Sequence, residues 1–228
     1  SGTSNDPPGI WKQSKSRKFP DRNDSPGCGG TNSTSYASDL FGANNTCSVI
    51  ATTGERKAVA RGVRGERTDL VAVYDFENLS PVAEIIIPNH MARLSFRNHL
   101  GLMNNGRHLA VLNMNPGHSV SIVDLEDRVF IYEASTPGCA VIMPVADSDF
   151  LQLCGDGTLQ LIQLDISGFE ENRVRSDIFF NVMEDAIFDR TARSADGWYL
   201  ITHAGIIYEV ASQGSEIIIS DSWSVTQE

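Results

Sequence analysis

The feature that most constrains this chain is a repeat of short apolar strands. Four segments share one order: strand, polar or glycine corner, strand, turn, a third strand ending in Asp or Glu, then a fourth strand. The second strands are entered at TGERKAVA (53–60), NNGRHLAVL (104–112), DSDFLQLC (147–154) and ADGWYLIT (195–202). The third read DLVAVYD (69–75), SVSIVDL (119–125), TLQLIQLD (158–165) and GIIYEV (205–210). First strands are expected at CSVIAT (47–52), HLGLM (99–103), AVIMPVA (140–146) and AIFDRTA (186–192). Fourth strands follow as VAEIII (82–87), RVFIY (128–132), VRSDIFF (174–180) and EIII (216–219).

Asp75, Asp124, Asp165 and Glu209 then mark equivalent points, 49, 41 and 44 residues apart. A four-strand unit recurring at that spacing is the signature of propeller blades. Strand faces agree. In SVSIVDL, Val120 and Ile122 point one way and Val123 and Leu125 the other. A strand apolar on both faces suits a sheet stacked between two neighbours. A β-sandwich also spaces its strands regularly, but the matched turns favour the propeller. The expected fold is all-β, a partial propeller of about four blades over residues 47–228. No segment carries a long helical stripe; the best helix candidate, Ser167–Arg175, is short and holds Gly168 at its start.

Residues 1–46 read differently. They are rich in Ser, Asn, Gly and Pro, and are expected to form an irregular arm. Residues 1–27 hold Lys12, Lys15, Arg17, Lys18 and Arg22 against three aspartates, whereas the whole chain carries −11. The acidic balance repels phosphates and argues against nucleic acid as a partner, while leaving room for a basic one. No run approaches the roughly 20 apolar residues that span a bilayer, so no membrane insertion is expected. No signal-like apolar core stands at the start.

Two cysteines bracket one predicted hairpin, GCAVIMPVADSDFLQLC. Cys139 begins a strand and Cys154 ends its neighbour. Antiparallel partners there fall within the about 7 Å that a disulfide spans. Closing such a loop contributes about 3 kcal/mol in the chain-entropy model. The remaining pair, Cys28 and Cys47, would tie the arm to the first strand. An even thiol count argues for an oxidising compartment; buried free thiols are the competing reading. No Cys-x-x-Cys is present and no His stands near either pair, so a metal site is not indicated.

Signposts of chemistry are sparse. His90, His99, His108, His118 and His203 lack metal-ligand spacing and read as turn or surface residues. There is no Gly-x-Ser-x-Gly elbow. Gly155-Asp156-Gly157 reads as a hairpin turn, not a phosphate cradle. The loop Arg64-Gly65-Glu66-Arg67-Thr68-Asp69 is dense in charge. Arg64, Glu66, Arg67 and Asp69 are candidates for a partner or anion contact, or for ion pairs on a solvated loop. Trp198 reads as core packing. Asn32, Asn44 and Asn78 head Asn-x-Ser/Thr triplets, which chance produces often. No catalytic, cofactor-binding or metal residue is assigned.

The run GVRGERTDLVAVYDFENLSPVAEIIIP (62–88) resembles the heavy subunit of the quinoprotein amine dehydrogenases, the methylamine and aromatic amine dehydrogenase family. The likeness continues through NNGRHLAVLNMNPGHSVSIVDLEDRVF (104–130) and the bracket PGCAVIMPVADSDFLQLCGDGTLQLIQL (137–164). It is good over about 48–165 and weak beyond. The resemblance implies a seven-bladed propeller type, here partial, in the bacterial periplasm, and a Cys139–Cys154 disulfide. It implies a hetero-oligomer of two large and two small subunits. Tryptophan tryptophylquinone would be built from two tryptophans of the small subunit, so this chain would hold no cofactor. Its role would be to hold that subunit, help wall the substrate passage and shape the docking of a copper protein that accepts electrons. The reaction implied is oxidative deamination of a primary amine. The family's chains are longer, and residues 1–46 match none of its pattern, so no passage-lining residue is carried over. The alternative is a stand-alone periplasmic propeller, either a binding module or a lactonase-like enzyme.

Overall fold

In the computed structural model the chain is described over residues 38–41, 47–56, 67–75, 80–88, 90–91, 97–146 and 148–225. Four antiparallel sheets follow one another along it. The first holds β1 (Ser38–Phe41), β2 (Cys47–Arg56), β3 (Arg67–Asp75) and β4 (Pro81–Ile87) in that order. The second holds β5 (His90–Met91), β6 (Leu100–Met103), β7 (His108–Asn115), β8 (Ser119–Asp124) and β9 (Val129–Ser135). Both β5 and β6 pair with β7, so the inner strand of this sheet is interrupted. The third runs β10 (Cys139–Pro144), β11 (Asp149–Cys154), β12 (Leu159–Leu164), β13 (Glu170–Arg175). The fourth runs β14 (Ala192–Arg193), β15 (Trp198–Ile201), β16 (Ile206–Gln213), β17 (Glu216–Ile219), with β18 (Trp223–Ser224) also on β16.

The sheets stack through three apolar layers, and side-chain alternation builds them. In β7, Leu109 and Val111 face the first sheet's Val71, Val73, Ile85 and Ile87. Ala110 and Leu112, from the same strand, face the third sheet's Ile142, Phe150 and Ile162. In β8, Val123, with Leu125 just past the strand's end, joins the first layer while Val120 and Ile122 join the second, as the sequence predicts. All six residues of β8 are buried. In β12 the division repeats: Ile162 and Leu164 lie in the second layer, Leu159 and Leu161 in the third, with Leu200 and Val210 of the fourth sheet. Antiparallel sheets of four or five strands packed face to face in series make a partial β-propeller.

Several expected boundaries move. Residues 47–52 and 53–56 belong to one strand, β2, whose Gly54 pairs with Asp69 with no turn. The true first strand, β1, lies within the segment read as irregular and pairs Phe41 with Cys47. The β-branched Thr52 and Thr53 carry the strand through the glycine that suggested a corner. The helix candidate Ser167–Arg175 is a turn followed by β13. Gly168 takes φ 89°, and its N–H donates to Asp165 O at 3.0 Å, closing a hairpin instead of a helix. Consequently VRSDIFF is not a strand; only its first two residues belong to β13. Glu209 is not equivalent to the three aspartates. It sits in mid-strand, paired with Tyr199, because β16 runs on to Gln213.

Candidate functional site

The Cys139–Cys154 hairpin is the most constrained point of the third sheet. The two residues are direct register partners with Cα atoms 4.0 Å apart, joined by a disulfide. Both are buried. A bulge between Ala140 and Met143 follows, and Val141 there adopts φ 67°. A β-branched residue rarely occupies that region, at a cost of about 1–2 kcal/mol. The bulge lets Val141 line an open cavity of about 250 Å³ beside the disulfide.

The other wall comes from the crossing, residues 176–191, that carries the chain from the third sheet to the fourth. Its start is fixed by Ser176 N donating to Leu159 O and Phe179 N donating to Gly157 O. Its end is fixed by Phe188 N donating to Ile201 O. Gly157, at φ 86°, closes the Gly155–Gly157 turn as the sequence predicts, and a Cβ there would stand 2.4 Å from Phe180 O. Phe180, Val182 and Ile187 complete the cavity's apolar lining, with Asp189 at its rim. A second cleft, about 520 Å³, continues past Gly155 and Asp156 to Ile178 and Met183. Asp156 is held by Thr158 Oγ1 at 2.6 Å and by Arg175 Nη1 at 2.6 Å. The Thr158 hydroxyl, above all, lowers the Asp156 pKa against a slight cost of burial.

A second polar spot lies inside the stack. His108 is fully buried, its Nε2 3.9 Å from the Asp124 carboxylate, and neither ring nitrogen has a hydrogen-bond partner among the described residues. Burial holds His108 below the usual histidine value, opposed by Asp124 and Asp165 and reinforced by Arg107. Asp124 itself accepts from Arg107 Nε and from the Glu126 and Asp127 amides, each at 2.8 Å. Burial pushes that carboxyl up, but those donors outweigh it and its pKa is lowered. This aspartate caps the β8–β9 turn; it is structural.

The sequence candidates fall as follows. Arg64, Glu66 and Cys28 lie outside the described residues, and with Cys28 the proposed Cys28–Cys47 pairing. Arg67 opens β3 opposite Arg56. Asp69 lies within β3 and is buried, at 2% exposure. Cys139 and Cys154 are joined. Trp198 packs on the third layer, and its Nε1 donates to Pro144 O. No group of three His, Cys, Asp or Glu able to hold a metal occurs among the described residues. No helix among them is long and apolar enough to cross a membrane. Trp198 and Trp223 pair with Val210 and Ile207, three residues apart on β16, so they project from opposite faces of the last sheet. They do not suit a quinone built from two joined tryptophans. The crossing and its cleft were missed because Ile178-Phe179-Phe180 carries a strand-like apolar run; the acidic residues spaced through 177–189 were the available signal.

Residues 29–219 match the family model for the methylamine dehydrogenase heavy chain. The Methylophilus methylotrophus methylamine dehydrogenase heavy chain is 30% identical over 126 residues, covering 53% of this chain and 31% of that one. The Methylorubrum extorquens heavy chain is 29% identical over 154 residues, covering 66% and 37%. This chain thus aligns with about a third of the length of these relatives. A solved protein of unknown function from Desulfotomaculum acetoxidans superposes with TM-score 0.54 at 12% identity, covering 83% of this chain and 56% of that one.

Proposed function

Because the chain belongs to the methylamine dehydrogenase heavy chain family, we propose that it is the non-catalytic large subunit of a periplasmic amine dehydrogenase. The family match over residues 29–219 carries this reading. Its partner is a small subunit bearing tryptophan tryptophylquinone, which supplies the two-electron chemistry that converts a primary amine to an aldehyde and ammonia. A copper protein then takes the electrons. The residues of this chain offer a fitting division of labour. They build a rigid stack of sheets, a covalently closed hairpin and an apolar cleft, and Trp198 packs against the third apolar layer. The disulfide suits the oxidising periplasm.

Affinity purification of the tagged chain from its host tests this. The expected result is a small, coloured, quinone-bearing polypeptide in stoichiometric amount, with amine-dependent dye reduction by the complex. A chain that runs alone, colourless and without amine oxidation overturns the reading. Metal-dependent lactone hydrolysis by the isolated chain would establish the stand-alone alternative instead.

A further inference from the structure

Met183 is 92% exposed and Ile178 71%. An exposed methionine is unremarkable on a floppy loop, but this one is held. Asn181 Oδ1 accepts from Met183 N at 3.0 Å, and Asn181 O accepts from Glu184 N at 3.2 Å and Asp185 N at 2.9 Å. Asp185 in turn accepts from Ala204 N at 2.8 Å, tying the turn to the fourth sheet. The chain therefore holds an apolar knob in water on a fixed base, next to an apolar cleft. Singly exposed apolar residues need no explanation; a fixed cluster beside a cavity marks a contact surface.

The surrounding charge defines what fits. Asp177, Glu184 and Asp189 are exposed along the crossing, and Asp156 stands at the cleft's edge. The basic groups there are Arg175, already paired to Asp156, Arg190, and His203, whose ring stacks on Phe188 with centroids 4.0 Å apart. A partner must bring positive charge around an apolar centre. The cavity between Val141, Leu153, Phe180 and Ile187 offers room for one large side chain, the kind of anchor that dominates interface energy.

Resting on the large-subunit reading, we infer that the 176–191 crossing and its cleft seat a polypeptide segment of the small subunit that places Lys or Arg on either side of a large apolar side chain. Met183 and Ile178 clamp the apolar centre. Asp177, Glu184 and Asp189 receive the basic flanks, which speeds encounter and fixes register more than it adds affinity.

The test uses the full chain and three labelled synthetic peptides of equal length: Lys with Leu and one Trp, Glu with Leu and one Trp, and Lys with Ser. Anisotropy titrations at low and physiological salt should rank the Lys/Leu/Trp peptide at least about tenfold tighter than the others. Met183→Glu and Ile178→Glu should each weaken it about tenfold, and Glu184→Lys should flatten its salt dependence. These residues are exposed, so thermal melts should not move. Ile166→Glu, at a site 75% exposed on the turn at the opposite end of the sheet, should change nothing. Equal binding of all peptides, or an equal effect of Ile166→Glu, overturns the inference. So does a dimer of this chain that Met183→Glu dissolves, since the occupant is then a second copy. The two readings fail separately. A quinone-bearing subunit that co-purifies equally well with Met183→Glu sinks the docking surface and leaves the function. Peptide binding with no such subunit in the host does the reverse.

Discussion

Trp198 bridges the last two sheets: its indole Nε1 donates to the carbonyl of Pro144, 2.8 Å away and 54 residues earlier in the chain. Arg193 donates to the same oxygen and lies 5.1 Å from the centre of the Trp198 ring. Trp198→Phe removes one donor while the carbonyl keeps the other. It should cost about 1 kcal/mol, near the usual net value of a hydrogen bond. Trp198→Ala also opens a hole in the third layer and should cost about 3 kcal/mol. Urea unfolding of the two variants checks the difference, and equal losses would show that the hydrogen bond is not the smaller part.

The disulfide closes a loop of 15 residues. Replacing both Cys139 and Cys154 by Ser should lower stability by about 3 kcal/mol in the chain-entropy model. The reduced wild-type chain should denature at the variant's midpoint, and the oxidised chain at a higher one. A reduced wild-type chain as stable as the oxidised one would contradict this.

That bracket was legible because two residue types and one spacing suffice to state it. So were the layers, since alternation along SVSIVDL puts Val120 and Ile122 on one face and Val123 and Leu125 on the other. Strand ends were less so. Gly54 and Gly168 look alike in sequence, yet one runs through a strand while the other turns a hairpin, and only the pairing partner decides. The cleft was illegible for a related reason. Phe180 and Ile187 are apolar in any fold, and what makes them a wall is the path of a crossing held by backbone bonds.

His108 sets a pH dependence. Its folded pKa is depressed by burial, so the unfolded chain takes up a proton first, near pH 6.5. The stability contributed by the neutral ring is present above about pH 6.5 and falls as pH drops from there toward the lower folded value. Asp124 acts later, its own contribution being lost only as pH falls below the ordinary carboxylate range. Chemical denaturation at pH 7 and pH 5 should show a loss for the wild type and a smaller one for His108→Leu. Parallel losses in the two proteins would remove His108 from the account.

Gly157→Ala should destabilise the chain by about 2 kcal/mol or more. Left-handed backbone costs an alanine about 1–2 kcal/mol, and the new methyl would press on Phe180 O. Because that carbonyl belongs to the crossing, hydrogen exchange should rise over 178–183 before the rest of the sheet. A uniform change across the third sheet would argue that the turn and the crossing are mechanically independent.

The two-sided sheets carry one more implication. Leu109 and Ala110 are sequence neighbours that serve different interfaces. A flaw in such an interior strand loosens the contacts on both flanks, while a flaw in β15 disturbs one described layer. Amide protection should therefore peak in β7, β8 and β12, as in an array governed by nearest-neighbour coupling, and be lower in β15.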